Sequence, residues 1–219
     1  MATRTLSIDI VDNDTLYTDQ IKSWIDQYAR NAVVTEYDSY ETALQGLSHY
    51  TPDIVIVETG MRAGNGMEFI RKMRLGNPDV RMLVLTHQDE LLYAERALRI
   101  GAHGYLMKDV GYDVFAQAMD ALLRDEFFVS ETIEGKILKS LAAQPDEEDI
   151  DPEKKLSNRE LEIFVKIGEG MSSKEVADLL GISIKTVETH RAHIKRKLGN
   201  RSAKDLQRKA ADWVARTYA

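Results

Sequence analysis

Four side chains able to handle charge stand where short apolar runs end: Asp12 after Leu6–Val11, Glu58 after Ile54–Val57, Thr86 closing Met82–Thr86, and Lys108 after Gly104–Met107. Two carboxylates, a hydroxyl and an ammonium could together hold a Mg²⁺ ion or neutralise a phosphoryl group. A magnesium-dependent hydrolase using Asp12 and Glu58 is one reading. Against it, the neighbour of Asp12 is Asn13, which leaves the set poor in acids, so no catalytic residue and no enzyme are expected. A different chemistry sits downstream. Between Ser183 and Ala210 there are nine basic residues and only two acids, Glu188 and Asp205, the balance of a surface that meets a polyanion. His190 and His193 lie three apart, but no cysteine or carboxylate stands at ligand spacing, so no metal site is read there.

The net charge of −7 over 219 residues hides this asymmetry. Residues 1–150 carry 14 Lys/Arg against 26 Asp/Glu, and residues 151–219 carry 15 against 10. Hydrophobic residues make up 43%, enough for a sizeable core. The absence of cysteine excludes disulfides, thiolate zinc sites and a thiol nucleophile. No apolar run approaches the roughly 18 residues of a membrane span, and none of signal-peptide length opens the chain. A cytoplasmic location and no membrane partner are expected.

The elements that must position these groups follow from periodicity. Five β-branched runs (Leu6–Val11, Ala32–Glu36, Ile54–Val57, Met82–Thr86, Gly104–Met107) alternate with amphipathic stretches near 15–29, 39–49, 66–75, 90–100 and 111–124. Strict alternation gives an α/β domain over residues 1–125, a five-stranded, doubly wound parallel sheet of flavodoxin-like type. Residues 126–155 are read as a linker: a helix over 130–143, then a flexible acidic stretch, QPDEEDIDPEKK. Residues 156–219 are read as an all-α domain of four helices. Ser157 with Glu160 and Ser172 with Glu175 have capping-box spacing, Ser183 caps a third helix ended by Gly199, and a fourth runs from about Ser202 to Thr217.

SSKEVADLLGIS followed by a basic helix describes a helix-turn-helix. At 100° per residue Val187, Ile194 and Leu198 share one arc of that helix, and Lys185, Glu188, Thr189, Ala192 and Arg196 the other. The segment from Leu156 to Gly199 resembles the LuxR-type (NarL/FixJ) DNA-binding domain, through Leu156–Glu160, Gly170, Lys174–Glu175, Ala177, Ser183, Thr186–Val187, His190, Ile194, Lys197, Leu198 and Gly199. That resemblance implies double-stranded DNA as partner and a homodimer. It gives base contacts to Lys185, Glu188, Thr189 and Ala192, and backbone contacts to Lys174, Thr186, His190, Arg191 and Lys195. It gives a dimer stripe to Leu206, Ala210 and Trp213, with closure of the small core as the other use of Trp213.

IVDND (10–14), PDIVIVETGMRAGNGMEFI (52–70), LVLTHQD (83–89) and GAHGYLMKD (101–109) resemble a response-regulator receiver. The resemblance implies a pocket of two adjacent acids for Mg²⁺, a phosphoacceptor Asp, a Thr or Ser, a Lys and an aromatic. Here Asp12, Thr86, Tyr105 and Lys108 match, whereas Asn13 replaces an acid, Glu58 stands at the acceptor and Arg62 where a proline is usual. Removing one charge weakens any Mg²⁺ at Asp12 and Glu58, and the extra methylene of Glu58 carries its carboxylate towards Lys108. The expectation is an atypical receiver that works without phosphorylation and without a cofactor. Residual phosphorylation or a ligand in the crevice is the alternative, and a partner histidine kinase is left open. An acyl-homoserine-lactone receptor shares the C-terminal pattern but not a five-stranded parallel sheet. Asp9, inside the first strand, is out of place: a buried carboxylate there needs a partner or a proton.

Overall fold

The computed structural model describes residues 5–61, 65–142 and 152–218. Arg4, Arg62 and most of the acidic stretch, 144–151, lie outside them. The chain forms two compact units that divide after Ala142.

In the first unit β1 (Ser7–Val11), β2 (Val33–Tyr37), β3 (Ile54–Val57), β4 (Arg81–Thr86) and β5 (Gly104–Met107) form one parallel sheet in the order β2-β1-β3-β4-β5. Between them run α1 (Thr15–Tyr28), α2 (Tyr40–Leu47), α3 (Gly66–Gly76) and α4 (Glu90–Arg99), with α5 (Tyr112–Leu123) after β5. β3 is buried on both faces, which is why its four residues are all Ile or Val. Ile8, Ile10, Ile56, Leu85 and Leu106 pack with Ile21 and Ile25 of α1 and Phe115 and Met119 of α5, and Trp24 stacks at 5.2 Å on Phe115. The strand order switches direction between β1 and β3, and the carboxyl ends of those two strands flank the crevice where doubly wound sheets bind ligands.

The chain leaves α5 through Asp125, in the left-handed region at φ 64°, and Phe128 then bridges onto β5, exchanging hydrogen bonds with His103 and Tyr105. This return positions α6 (Glu131–Ala142), which packs on α4 through the buried Ile133.

The second unit contains α7 (Pro152–Lys155), α8 (Asn158–Gly168), α9 (Ser173–Leu180), α10 (Ile184–Leu198) and α11 (Ala203–Thr217). The sequence reading placed 152–155 in a flexible linker; the structure shows a helical turn there. Proline suits a first helical position because its missing N–H has no partner there anyway, and the Leu156 N–H closes the turn on the Pro152 carbonyl at 3.0 Å. Both capping boxes form. α11 packs against α8 at Gly168, where a Cβ would stand 2.6 Å from the Ala210 carbonyl oxygen. Gly181 ends α9 at φ 63°, a conformation that admits the abrupt turn into α10.

Candidate functional site

The crevice of the first unit gathers residues from five strand or loop ends. Lys108 is buried and lies between two carboxylates, 2.6 Å from Asp12 Oδ2 and 3.1 Å from Glu58 Oε2. The other Glu58 oxygen, Oε1, accepts the Gly60 N–H at 2.5 Å and the Thr86 hydroxyl. Thr86 Oγ1 in turn accepts the Gln88 N–H at 3.2 Å, and Tyr40 donates to the Glu58 carbonyl at 2.7 Å. Asp12 Oδ1 accepts the Asp14 N–H at 2.9 Å. Every oxygen of both carboxylates is therefore occupied by a donor from the protein.

Tyr17 closes one side. Its hydroxyl donates to the Lys108 carbonyl at 2.6 Å, and the Lys108 ammonium lies 4.3 Å from its ring centroid, at cation–π range. Burial and the negative charge of Asp12 push the Tyr17 phenol up to about 12. Burial raises the Asp12 carboxyl above its ordinary value, opposed by the bond from Lys108. Tyr105 is fully buried and its hydroxyl donates to the Gln88 carbonyl at 2.9 Å, joining β5 to the loop after β4. Asn13 is exposed beside the cluster rather than within it.

A magnesium site needs several oxygen donors free to converge. Here Asp12 and Glu58 are both paired with Lys108, and among the described residues no group of three His, Cys, Asp or Glu could hold a metal ion.

Asp9 is buried on β1, and its carboxylate accepts the Tyr50 hydroxyl from the segment after α2. Burial raises its pKa, opposed by the bonds from Tyr50 and Tyr37. The partner that the sequence left unnamed is thus a phenol 41 residues away.

In the second unit α10 divides as the angular count requires. Val187, Ile194 and Leu198 are buried, while Lys185, Glu188, Thr189, Ala192 and Arg196 are exposed. Lys195 and Arg191 are half-buried at the flanks, and Thr186 and Lys174 are exposed at the starts of α10 and α9. Lys174, Lys185, Lys195 and Arg196 form no ion pair among the described residues, which leaves a cationic face. His190 is turned partly inward: its Nδ1 is buried without a partner, and burial lowers its pKa. Glu188 accepts the Ser173 hydroxyl of α9 and lies 3.8 Å from Arg191, so it ties the two helices of the motif. Lys197 is engaged internally, 2.6 Å from the buried Glu160. Burial would raise the Glu160 carboxyl, but Lys197 and the Ser157 N–H hold it below its ordinary value.

The dimer stripe is corrected. Leu206 and Ala210 are fully buried, and Trp213 is 7% exposed with its ring 5.9 Å from Phe164 of α8. These side chains close the core of this small unit and offer no surface to a second chain. Sequence reasoning also missed Gly60 and Tyr17; neither carries a pattern that would mark it, because one contributes only a backbone amide and the other reaches Lys108 across 91 residues.

Residues 8–120 match the family model for the response regulator receiver domain, and residues 154–210 that for bacterial regulatory proteins of the luxR family. Oxygen regulatory protein NreC of Staphylococcus aureus is 33% identical over 178 residues, covering 80% of this chain and 82% of that protein. A LuxR-family two-component response regulator from Aurantimonas sp. SI85-9A1 is 26% identical with a TM-score of 0.58, over 64% of this chain and 99% of its own. RcsB of Salmonella enterica serovar Typhimurium, solved bound to a promoter in the presence of the phosphomimetic BeF3−, is 21% identical with a TM-score of 0.58, covering 94% and 97%.

Proposed function

The chain belongs to the NarL/FixJ response regulators, a receiver domain joined to a LuxR-type DNA-binding domain, and on that premise we propose that it regulates transcription without being phosphorylated. One observation carries the reading. Glu58 holds its own carboxylate against the Thr86 hydroxyl, the Gly60 amide and the Lys108 ammonium, the hydroxyl, amide and cation that would otherwise face a phosphoryl group on this strand end. A carboxylate already neutralised on three sides has no free oxygen for an in-line attack, and Asp12, the other acid of the cluster, is itself held by Lys108. The pocket rests with a negative charge where phosphorylation would have put one.

The output is sequence-specific binding to double-stranded DNA. Lys185, Thr189, Ala192 and Arg196 face the major groove, and Lys174 and Lys195 meet the backbone. Glu188, held by Ser173 and Arg191, fixes the angle between the helices of the motif rather than reading a base. Two copies act together, because one small helix-turn-helix reads few base pairs. RcsB, bound to a promoter in the structure above, supports the DNA reading. The chain is not an enzyme in this account, and the cell interior is where it works.

Incubation with a small phosphodonor and Mg²⁺ tests the proposal. The intact mass should be unchanged; a stoichiometric phosphoryl adduct on Glu58 or Asp12 would overturn it.

A further inference from the structure

The outer face of α6 exposes two large apolar side chains. Ile133 seats the helix on α4, yet Leu138 and Leu141 are 59% and 75% exposed. With Leu98, Phe127, Val129 and Ile137 they line an apolar groove of about 650 Å³ between α4 and α6. Phe127 is itself 68% exposed. Gly135 stands in the interior of the helix with nothing within 4 Å of where its Cβ would lie. An interior helical glycine costs about 1 kcal/mol relative to alanine, and no contact within the unit requires one here.

Gly135, Leu138 and Ala142 recur at i, i+3 and i+7, so they lie along one stripe of α6. A small residue on such a stripe lets a second helix approach closely, and Leu138 supplies the knob beside it. The charges select the occupant. α6 carries Glu131 and Glu134 in its first turn and Lys139 in its last, while Lys136 is turned onto α4, donating to the Leu91 carbonyl at 2.6 Å. A second α6 running the opposite way sets Glu131 against Lys139 of the partner subunit at both ends of the contact, whereas a parallel copy sets like against like. The surface is complementary to itself under a two-fold axis, the condition for an isologous interface.

We propose that α6 pairs antiparallel with α6 of a second copy of this chain. The helices cross near Gly135, Leu138 and Leu141 fill the groove beside α4 of the partner subunit, and Lys139 reaches Glu131 of the partner subunit. Two helices of 12 residues bury an area at the low end of specific interfaces, below about 1,200 Å². The pairing is accordingly a weak, concentration-dependent dimer. It rests on the reading that two copies act together, and it gives that reading an interface on the receiver side in place of the buried α11 stripe.

Sedimentation of the full, DNA-free chain over a concentration series tests it independently of any DNA binding. The wild type should dimerise reversibly, and Leu138→Glu should raise the dimer Kd at least tenfold. Gly135→Leu should do the same while leaving the fold intact, since its side chain meets only open space. Lys139→Glu and Glu131→Lys should each weaken the dimer several-fold, and the double reversal should restore it. The chain holds no cysteine, so a single Gly135→Cys, at the crossing point, adds an oxidative crosslink as a second readout. A chain monomeric at every concentration would overturn the proposal. So would a dimer indifferent to Gly135→Leu, or charge reversals whose effects add instead of cancelling. Failure of DNA binding by gel shift with an intact dimer would count against the transcriptional reading alone.

Discussion

Replacing Lys108 by methionine removes the one cation between two buried carboxylates and keeps the side chain's length. At an effective dielectric of about 20, attractions over 2.6 Å and 3.1 Å amount to about 6 and about 5 kcal/mol before desolvation is subtracted. Desolvation of the lysine offsets much of that, and removing one partner of a buried pair costs about 3–5 kcal/mol because the other charge is left uncompensated. Lys108→Met should therefore destabilise the first unit by about 3–5 kcal/mol at pH 7. The variant's carboxylates repel each other, so one takes up a proton and its folded pKa lies above the unfolded value. Stability from such a group is present at low pH and lost as pH rises through the folded pKa, so the penalty should shrink as pH falls from 7 into the ordinary carboxylate range. Urea unfolding followed by fluorescence measures it. A Trp213→Phe background leaves Trp24, packed on Phe115, as the sole tryptophan reporter of the first unit. Adding Glu58→Gln to Lys108→Met should recover at least about 1.5 kcal/mol, a coupling expected of groups in one network. A penalty below about 1 kcal/mol, or strictly additive substitutions, would refute the picture of a charge-neutralised pocket.

Asp9→Asn keeps an acceptor for the Tyr50 hydroxyl but removes the buried charge. Because the folded pKa of Asp9 is raised, the variant should gain on the order of 1 kcal/mol at pH 7, with no gain once the wild-type carboxyl is protonated in acid; thermal unfolding at both pH values decides it. Trp213→Ala should cost about 3–5 kcal/mol and unfold the second unit at lower denaturant. A folded, fully stable variant that had only lost its dimer would restore the stripe reading. Lys174→Ala and Lys195→Ala should each weaken DNA binding and lower the salt slope by about 0.9 where a phosphate contact is lost; an unchanged slope in a gel-shift series would show that neither meets the backbone.

The alternation of runs in the sequence located all five strands within one or two residues at either end, because a β-branched run buried between helices has few other ways to satisfy its backbone. The capping serines and the buried arc of α10 were equally legible, since both are local geometry. What escaped is non-local. Whether Leu206, Ala210 and Trp213 face a second chain or the domain's own core is not a property of α11, whose periodicity is the same in both cases; α8 decides it by packing at Gly168 and Phe164. Glu188 stands on the exposed face of α10, and its bond from Ser173, 15 residues earlier on α9, could not be read from the helix alone. The pocket's residue types were visible, but their arrangement depends on the Gly60 amide, on which a side-chain pattern is silent.

The most direct test of the central claim is the affinity of the full chain for its DNA site, measured for wild type and Glu58→Ala with and without phosphodonor and Mg²⁺. Wild-type affinity should be indifferent to the donor, and Glu58→Ala should bind more weakly without being rescued by it. Donor-enhanced binding by the wild type, or a Glu58→Ala variant binding as tightly as wild type, would contradict that claim.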